Sequence, residues 1–337
     1  MRPLVSLLLR YRVAVTLAVA VTACVLLVPG FASATTAGLA LDRAASVGLL
    51  AAGLTVLLIS GKIDLSGGAV FALAGIVAVQ LQPQIGILPG ALVATAVGMA
   101  AGALNGALVI WARINSLVAT LATMLMFRAM AHLITESQPV SGIDIMFALE
   151  ISRTIGGIFT LRGILFLCLI VVLHIWLTRT VAGRNVFATG SNAAAARASG
   201  IREQRVHFGA FVFASGLAGL AGILQSLSVN TGSPTFGADL TILAITATVV
   251  GGTLIEGGRG SALGTLGGVA VIAVLTTGME FSSVPAYVQQ IVIGVILLMI
   301  VALDRTIGFG PRRHRPGPGA AVGAGAALRK NKEEETQ

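Results

Sequence analysis

Side chains that could carry chemistry are sparse in this sequence, and they form no obvious reactive group. Catalysis within a membrane needs a nucleophile near a base, or two carboxylates on facing helices, and no local constellation of that kind is visible. The four histidines are far apart and lack the spacing of metal ligands: His132, His174, His207 and His314. We therefore expect no catalytic residue, no metal site and no cofactor, and predict that the chain is not an enzyme.

Nucleotide binding and disulfide formation can be judged from short patterns. A phosphate-binding loop needs Gly-x-x-x-x-Gly-Lys-Ser/Thr, and this pattern is absent, since Gly61-Lys62 is followed by Ile63. Cys24 and Cys168 both lie inside apolar runs, where they are expected to be small packing residues rather than a disulfide. The sequence therefore predicts no nucleotide site of its own.

Arg128 is the one charged residue deep in an apolar run, and His132 follows it one helical turn later. Such a pair could relay ions or protons, as in secondary transporters driven by an ion gradient. The interpretation that we favour is that Arg128 snorkels or pairs at the outer end of its helix.

The composition indicates an integral membrane protein. Of the 337 residues, 56% are hydrophobic and only 10% are charged, and the mean hydropathy is +0.94. Soluble domains carry about 25% charged residues, so this chain cannot cover a water-facing surface of its size. The net charge of +9 does not indicate nucleic acid, because the basic residues lie singly between apolar runs rather than in clusters with stacking aromatics.

The apolar runs predict an all-α, polytopic helical bundle with about ten transmembrane helices, since a helix needs about 20 apolar residues to cross a bilayer. Charges and helix breakers such as Asp42-Arg43, Lys62 and Arg113 set the boundaries. The third and eighth segments are short for a span. The predicted segments are 13–33, 44–61, 66–81, 86–111, 114–134, 160–178, 207–229, 238–254, 260–279 and 284–304.

The distribution of charge predicts that both termini are cytoplasmic. With the N-terminus inside, all but four of the 22 Lys and Arg residues fall on inner segments, as the positive-inside rule requires. Arg43, Arg153 and Arg162 fall on outer segments, and Arg128 lies within a span. The acidic residues on outer loops are Asp42, Glu136, Asp144, Glu150, Asp239 and Glu280.

The two ends of the chain need separate interpretation. The first 34 residues resemble a signal peptide, with Ala32-Ser33-Ala34 as a candidate cleavage site, but an uncleaved first helix is favoured in a chain with so many later spans. Residues 1–310 are predicted to form the transmembrane domain. Residues 311–337 are rich in Pro, Gly, Ala and charge, which predicts a disordered cytoplasmic tail.

Small residues recur at every fourth position in two rows. This spacing lets helix backbones approach closely in lipid. Packing within one bundle is favoured, and a dimer interface is the alternative for either row. The rows are Gly98, Gly102 and Gly106, and Gly260, Gly264 and Gly268.

A polar segment at residues 60–68 interrupts a long apolar stretch. Asp64 and Ser66 suit a cap for the following helix, with Asp64 near its positive N-terminal end. Alternatively, the break exposes polar backbone to a substrate path, since irregular structure in membranes is tolerated where it lines a cavity. Both interpretations stay open.

Two further polar segments lie on inner loops. In the longest of them, residues 183–201, the alanine run between Asn192 and Gly200 predicts a short helix with an Asn or Ser cap and a Gly stop. That helix could be a connector, a docking handle for a soluble partner, or part of a site for anionic lipid head groups. In residues 250–265, glycine pairs around Glu256 predict a tight turn with positive φ at several positions.

These three segments, in this order and spacing, resemble the permease subunits of bacterial ATP-binding-cassette (ABC) importers for ribose and related sugars. The resemblance covers the chain up to about Asp304, and its motifs are specific only in combination. They are Ile63-Asp64-Leu65-Ser66, Asn105-Gly106, Ala119-Thr120-Leu121-Ala122-Thr123, Gly183-Arg184, Ser199-Gly200-Ile201, Val250-Gly251-Gly252-Thr253 and Gly264-Thr265.

The resemblance implies a multi-pass subunit of the bacterial inner (plasma) membrane that forms the path for a monosaccharide. It implies pairing with a second permease copy or a paralogue, docking of two ABC ATPase subunits inside, and delivery of sugar by a periplasmic binding protein outside. Membrane lipid is a further expected partner, and nucleic acid is not. This function is favoured over a secondary transporter and over a membrane enzyme.

The resemblance also implies roles for the inner segments. The helix from Asn192 to Gly200 would be the coupling helix that fits a groove on the ATPase. The expected coupling residues are Gly183, Arg184, Gly190, Asn192, Arg197, Ser199 and Gly200. The expected inner glycine-rich turn contains Gly251, Gly252, Glu256, Gly258 and Gly260.

A neutral sugar needs hydrogen-bonding groups without a fixed charge along its path. We expect most of the candidates to be satisfied within the bundle and a minority to face the path. The candidates are Asp64, Ser66, Asn105, Thr120, Thr123, Gln225 and Asn230. The segment 135–159 is too charged to span, so we predict an outer interfacial helix that helps seat the binding protein.

Overall fold

The computed structural model describes residues 12–306, which are mostly helical. The helices are α1 Arg12–Leu27, α2 Ala34–Ile59, α3 Gly67–Gln80, α4 Gln82–Ile85, α5 Ile87–Ile110, α6 Ser116–Ile134, α7 Ile145–Ser152, α8 Leu161–Arg179, α9 Val181–Ser191, α10 Ala193–Ala198, α11 Glu203–Ser228, α12 Leu240–Val250, α13 Ala262–Phe281 and α14 Ala286–Thr306. Four two-residue strands are β1 Val140–Ser141, β2 Thr154–Ile155, β3 Phe159–Thr160 and β4 Thr231–Gly232.

Among the described residues, six helices are long and apolar enough to cross a membrane: α2, α5, α6, α8, α11 and α13. Four shorter apolar helices lie in α1, α3, α12 and α14. The order of these ten apolar helices follows the ten predicted segments. The prediction of an all-α membrane bundle is therefore confirmed in its main feature, with the small strands as an addition.

Polar side chains cap the beginnings of several of these helices. The side chains of Asn115, Thr160 and Ser261 accept hydrogen bonds from backbone N–H groups in the first turns of α6, α8 and α13. Each satisfies a donor that the helix cannot pair, which stabilises a helix by about 1 kcal/mol.

The centre of the bundle is α11, which packs against α2, α3 and α5, and α3 also packs against α5. In lipid this packing relies on close van der Waals contact rather than on the hydrophobic effect. Gly102 of α5 lies so close to α11 that a methyl group there would overlap the carbonyl oxygen of Phe211. Gly268 of α13 meets the carbonyl of Ala247 in α12 in the same way. Both glycine rows therefore pack within one chain, as favoured.

The predicted boundary at Asp42-Arg43 is wrong. Helix α2 begins at Ala34, where the Ser33 hydroxyl accepts a hydrogen bond from the Thr36 N–H at 3.1 Å, and it continues through both charges. These charges do not require a loop, because each pairs with an opposite charge on another helix. The charge pattern therefore did not locate the start of this helix.

Two other predicted segments are longer than the observed helices. The segment 13–33 ends as helix at Leu27, before Pro29 and Gly30, whose φ is +75°. The segment 238–254 is helical only over α12, which ends at the glycine pair after Val250. Glycine at positive φ and proline both stop a helix, which explains the early ends.

The outer segment 135–159 contains the predicted short helix, α7. Asp144 caps it, accepting a hydrogen bond from the Phe147 N–H at 2.9 Å. The flanking strands were not predicted: β1 pairs antiparallel with β4, and β2 with β3 around a turn at Gly156 and Gly157. These short ribbons tie the segment to neighbouring loops.

Residues 12–297 form one compact unit, and residues 298–306 complete α14 in a second unit. The predicted cytoplasmic tail, 311–337, and the boundary at 310 lie outside the described residues.

Candidate functional site

The helix break between α2 and α3 places a carboxylate in the centre of the bundle. Gly61, with φ of +80°, turns the chain after α2, and Asp64 is then almost completely buried. The Asp64 carboxylate accepts hydrogen bonds from the Ser66 N–H at 2.7 Å, the Ser66 hydroxyl at 2.6 Å and the Ser215 hydroxyl of α11 at 3.1 Å. A carboxylate with this many donors is well satisfied despite its burial.

Asn105 of α5 and two threonines of α6 extend this arrangement. The Asn105 amide donates to the Ser66 hydroxyl at 2.8 Å and lies 3.4 Å from an Asp64 oxygen, while its carbonyl accepts from the Thr123 hydroxyl at 2.7 Å. The Thr120 hydroxyl accepts from the N–H of the residue after Asp64, at 3.1 Å. We call Asp64, Ser66, Asn105, Thr120, Thr123 and Ser215 the central polar network.

The central polar network gathers five of the seven predicted path residues, and all are buried. Their side chains face one another in this conformation rather than a cavity, so a role in the path stays a prediction. The predicted cap is also different from the observed one. The Ser66 side chain donates to Asp64 instead of capping α3, and the Gly68 N–H donates to the Thr241 hydroxyl of α12 at 2.7 Å.

The sixth candidate, Gln225, lines an open cavity of about 740 Å³. The cavity lies between α2, α8, α11, α12, α13 and α14, near the ends of these helices that the charge pattern assigns to the outer side. We call it the outer cavity. The Gln225 side-chain oxygen accepts hydrogen bonds from Arg162 at 2.6 Å and from the Ser46 hydroxyl at 3.0 Å.

Paired charges surround the outer cavity. Arg162 forms an ion pair with Asp42, with the guanidinium Nε 3.0 Å from the carboxylate. Arg43 pairs with Glu280 of α13. On the opposite wall, the Gln290 amide donates to Asp239 at 2.7 Å. Both lining arginines are paired with carboxylates, and the remaining carboxylate, Asp239, accepts a hydrogen bond from an amide. The described lining therefore offers many donors and acceptors and no unpaired cation, which suits a hydroxyl-rich solute.

The seventh candidate, Asn230, lies outside the cavity lining. It has a φ of +49° in the turn before β4, and its side chain donates to the Gly142 carbonyl at 3.0 Å. The Gly142 N–H in turn donates to the Asn230 carbonyl at 2.8 Å. In the described conformation Asn230 holds the outer segment to the end of α11.

The inner loop contains the predicted short helix. Asn192 caps α10 by accepting a hydrogen bond from the Ala195 N–H at 3.0 Å, and the helix ends at Ser199. Gly200 follows with a φ of +81°, the left-handed conformation typical of a glycine that stops a helix. Arg197 forms an ion pair with Glu203 at the start of α11. The helix and its stop are confirmed.

The inner loop and the glycine-rich turn meet at the end of α2. The Gly258 N–H donates to the Ile59 carbonyl at 2.8 Å, and a methyl group at Gly190 would overlap that same carbonyl oxygen. Gly257, with φ of +93°, would bring a Cβ to 2.9 Å from the Cα of Gly61. We call these five residues, Ile59, Gly61, Gly190, Gly257 and Gly258, the inner glycine junction.

The remaining predicted inner residues lie around this junction. Gly183 packs against the backbone of Trp176 and Leu177 in the first turn of α9. Gly251 ends α12, Gly252 has a φ of +93°, and Gly260 faces Ile59 and Thr253. Arg184 and Glu256 are exposed.

The Arg128 side chain donates to the carbonyls of Pro234 and Phe236 at 2.7 and 2.9 Å. His132 instead contacts the Ser137 hydroxyl at 3.2 Å. The two side chains therefore bond to separate loops, which agrees with the favoured interpretation that Arg128 pairs near the helix end.

Most of the outer cavity could not be identified from the sequence. Asp42, Arg43, Arg162 and Glu280 served only as markers of membrane sides and of segment boundaries. In the central polar network, Ser215 was not among the candidates. The sequence did contain a signal for the cavity, because charged residues of both signs lie at the outer ends of four predicted segments. One sequence does not show which of these charged residues pair with one another in the fold.

Comparison with known protein families identifies the class of membrane protein to which this helical bundle belongs. Residues 35–301 match the family model described as "Branched-chain amino acid transport system / permease component". The chain belongs to this permease family. With its six long apolar helices, it is a multi-pass protein of the bacterial inner (plasma) membrane and a transport permease of the ABC importer class.

Similar permeases are known by name. The ribose import permease protein RbsC of Escherichia coli K12 is 34% identical over 76% of this chain and 81% of its own length. The inner membrane ABC transporter permease protein YjfF of the same strain is 33% identical over 84% and 87%, respectively. The autoinducer 2 import system permease protein LsrC of Yersinia enterocolitica is 32% identical over 76% and 71%. No solved structure matches the permease significantly.

Proposed function

We propose that this permease forms the membrane path for a monosaccharide of the ribose type in an ABC importer. The outer cavity is the observation that carries the proposal. Its wall combines amide, hydroxyl and paired charged groups, and Ser46 and Arg162 both donate hydrogen bonds to the Gln225 side chain. The names of the similar ribose import permeases support the same class of solute.

We propose that a separate ABC ATPase supplies the driving force through the inner loop. Transport against a gradient requires a partner that binds two conformations with different affinity. Helix α10 stands at the surface, with Arg197, Ala198 and Ser199 exposed. The adjacent α9 contacts the end of α2 at the inner glycine junction, so a displacement of the loop has a short backbone route into the centre of the bundle.

A periplasmic binding protein is the proposed source of the sugar, and α7 is its proposed seat. Helix α7 buries Ala148 and Ile151 against the bundle and exposes Ile145, Met146 and Leu149 by more than half of their surface. Exposed apolar residues beside the charges of Glu150 and Arg153 are typical of a surface that binds a partner.

The proposed topology has ten spans, with both termini in the cytoplasm and a second permease copy or paralogue completing the path. The six long helices supply part of this number, and α1, α3, α12 and α14 would cross within the bundle despite their shorter apolar lengths. Neighbouring helices can cover such short or broken segments in a membrane.

Reconstitution into proteoliposomes tests the proposal. The permease is combined with its ABC ATPase and its periplasmic binding protein, and uptake is measured for a panel of labelled pentoses and hexoses. We expect uptake that requires ATP, the ATPase and the binding protein together. Uptake by the permease alone under an ion gradient would overturn the ABC mechanism. ATP hydrolysis stimulated by the loaded binding protein without uptake of any panel sugar would overturn the monosaccharide assignment alone.

A further inference from the structure

A second cavity, of about 500 Å³, lies between α2, α8, α9 and α11, on the half of the bundle that the charge pattern assigns to the inner side. Its wall is apolar along nearly its whole length, formed by residues such as Leu169, Val172 and Phe213. Trp176 of α8 stacks with Phe213 of α11, with ring centroids 6.4 Å apart. We call this cavity the inner groove. It shares no lining residue with the outer cavity.

The inner groove is open rather than filled. Gly209 lies on its α11 wall, and a Cβ added there would meet no atom within 4 Å. The neighbouring surface of α8 exposes Val171, Val172 and Ile175 by more than half of their area. Since α8 and α11 are both long enough to cross the membrane, this surface faces hydrocarbon chains, which can reach the groove from the side.

One end of the groove carries positive charge. Arg205 and Asn185 are its polar lining residues, and the Arg205 side chain is exposed. Between residues 12 and 306, neither Arg205 nor the nearby Arg202 has an ion-pair partner, because the adjacent Glu203 pairs with Arg197. A free guanidinium at the inner end of an apolar groove complements a phosphate that is attached to an apolar chain.

We propose that the inner groove binds an anionic phospholipid of the inner leaflet. One acyl chain lies against Trp176 and Gly209, and the phosphate lies at Arg205 with Asn185 as a second donor. A soluble phosphate would leave the apolar length of the groove empty, whereas a neutral lipid would leave Arg205 without a counter-charge. The proposal requires that α8 and α11 span the membrane, and it is independent of the transported solute.

The tryptophan in the groove provides a direct readout. The chain has two tryptophans, so Trp111→Phe leaves Trp176 as the single fluorophore. The full-length variant is reconstituted into vesicles of equal parts phosphatidylglycerol and phosphatidylcholine, with bromine, a quencher, on the acyl chains of one lipid or the other. Because both vesicles have the same composition, any difference in quenching reports which lipid occupies the groove.

We expect brominated phosphatidylglycerol to quench Trp176 more strongly than brominated phosphatidylcholine. Arg205→Gln should reduce the preference about fivefold, to near equality, which corresponds to the loss of one basic contact with an anionic lipid. Arg202→Gln, three residues away and outside the groove lining, is the matched control and should retain the preference. Equal quenching by both lipids in the parent, or an unchanged preference in Arg205→Gln, would overturn the proposal.

The groove itself is tested by filling it. Gly209→Leu should place its side chain in the space that the acyl chain occupies and reduce quenching by both lipids, while Gly209→Ala should leave quenching unchanged. Unaltered quenching in Gly209→Leu would show that the lipid lies elsewhere. Two other outcomes would also overturn the proposal. If soluble glycerol phosphate displaced the lipid, the ligand of the groove would be a free phosphate. If two chains could be cross-linked through this face, the groove would bind a second copy of the permease.

Discussion

Asp42 of α2 and Arg162 of α8 form an ion pair that joins two distant parts of the chain at the wall of the outer cavity. The Arg162 side chain is 8% exposed and that of Asp42 is 24% exposed. The same guanidinium donates to Gln225 of α11 at 2.6 Å. Three helices therefore meet through one arginine, whereas the neighbouring pair of Arg43 and Glu280 is more exposed, at 38% and 43%.

The first prediction compares these two ion pairs. Asp42→Asn leaves the buried Arg162 without a counter-charge, which should lower the free energy of unfolding by about 2 to 3 kcal/mol, given that Asp42 retains some contact with water. Arg43→Gln is the matched control at the exposed pair and should cost at most about 1 kcal/mol. Thermal unfolding of the purified permease in detergent measures both. A loss in Arg43→Gln equal to that in Asp42→Asn would contradict the ranking.

The second prediction separates the outer cavity from the central polar network. Gln225→Ala removes an acceptor that faces the cavity, so the KM for sugar uptake by the assembled importer should rise about two- to tenfold, the value of one hydrogen bond. Thr123→Val removes a buried donor to Asn105. It should lower the thermal stability and leave the KM unchanged. A larger effect on KM in Thr123→Val than in Gln225→Ala would place the path at the network instead.

The order of the helices and the local signals at their ends could be predicted from the sequence. The alanine run with Asn192 before it and Gly200 after it contains its own cap and stop, so α10 required no tertiary information. Likewise, glycines spaced four apart on one helix face fit close packing in lipid without knowledge of the partner. These features depend on residues near one another in the chain.

The start of α2 and the outer cavity could not be predicted in this way. Asp42 and Arg43 are tolerated inside a helix only because Arg162 and Glu280, more than a hundred residues away, neutralise them. Similarly, Asp64 was predicted as a possible helix cap from its position in the sequence, whereas in the fold its carboxylate also accepts hydrogen bonds from side chains of α5 and α11. In each case the sequence shows that a polar side chain needs a partner, but the tertiary fold determines which residue that partner is.

The third prediction concerns the inner glycine junction. Gly190→Ala would force a methyl group against the Ile59 carbonyl oxygen, which also accepts the hydrogen bond from the Gly258 N–H. Overpacking of this kind costs about 1 to 3 kcal/mol, so α9 should shift away from the end of α2. We expect uptake to fall severely while the chain still inserts into the membrane. Gly209→Ala is the control, since its added methyl group meets no neighbour. Equal uptake by the two variants would argue against a role for the junction in coupling.

The fourth prediction tests the topology. Single cysteines are placed at the exposed positions Met146 and Ala194 after Cys24 and Cys168 have been replaced by serine. These positions adjoin the caps of α7 and α10 without removing them. A reagent that does not cross the inner membrane should label Met146→Cys in spheroplasts and should reach Ala194→Cys only after lysis. Labelling of Ala194→Cys in unlysed spheroplasts would place the inner loop on the wrong side.

The fifth prediction addresses the stop of α10, and it is the sharpest test of the coupling role. Gly200 has a φ of +81°, and a Cβ there would meet no atom within 4 Å, so its requirement for glycine comes from the backbone conformation and not from space. Gly200→Val should cost about 1 to 3 kcal/mol locally, because a β-branched residue is strained at this φ. The transmembrane helices lie elsewhere, so insertion and thermal stability of the bundle should change little.

Uptake, and ATP hydrolysis stimulated by the loaded binding protein, should both be lost in Gly200→Val, since the end of α10 can no longer present the same surface to the ATPase. Gly200→Asn is the matched control, because asparagine tolerates the left-handed conformation better than other residues with a side chain. It should retain most of the uptake. If valine and asparagine reduced uptake equally, the added side chain rather than the backbone turn would be responsible. If Gly200→Val transported normally, α10 would be a connector and not the coupling helix.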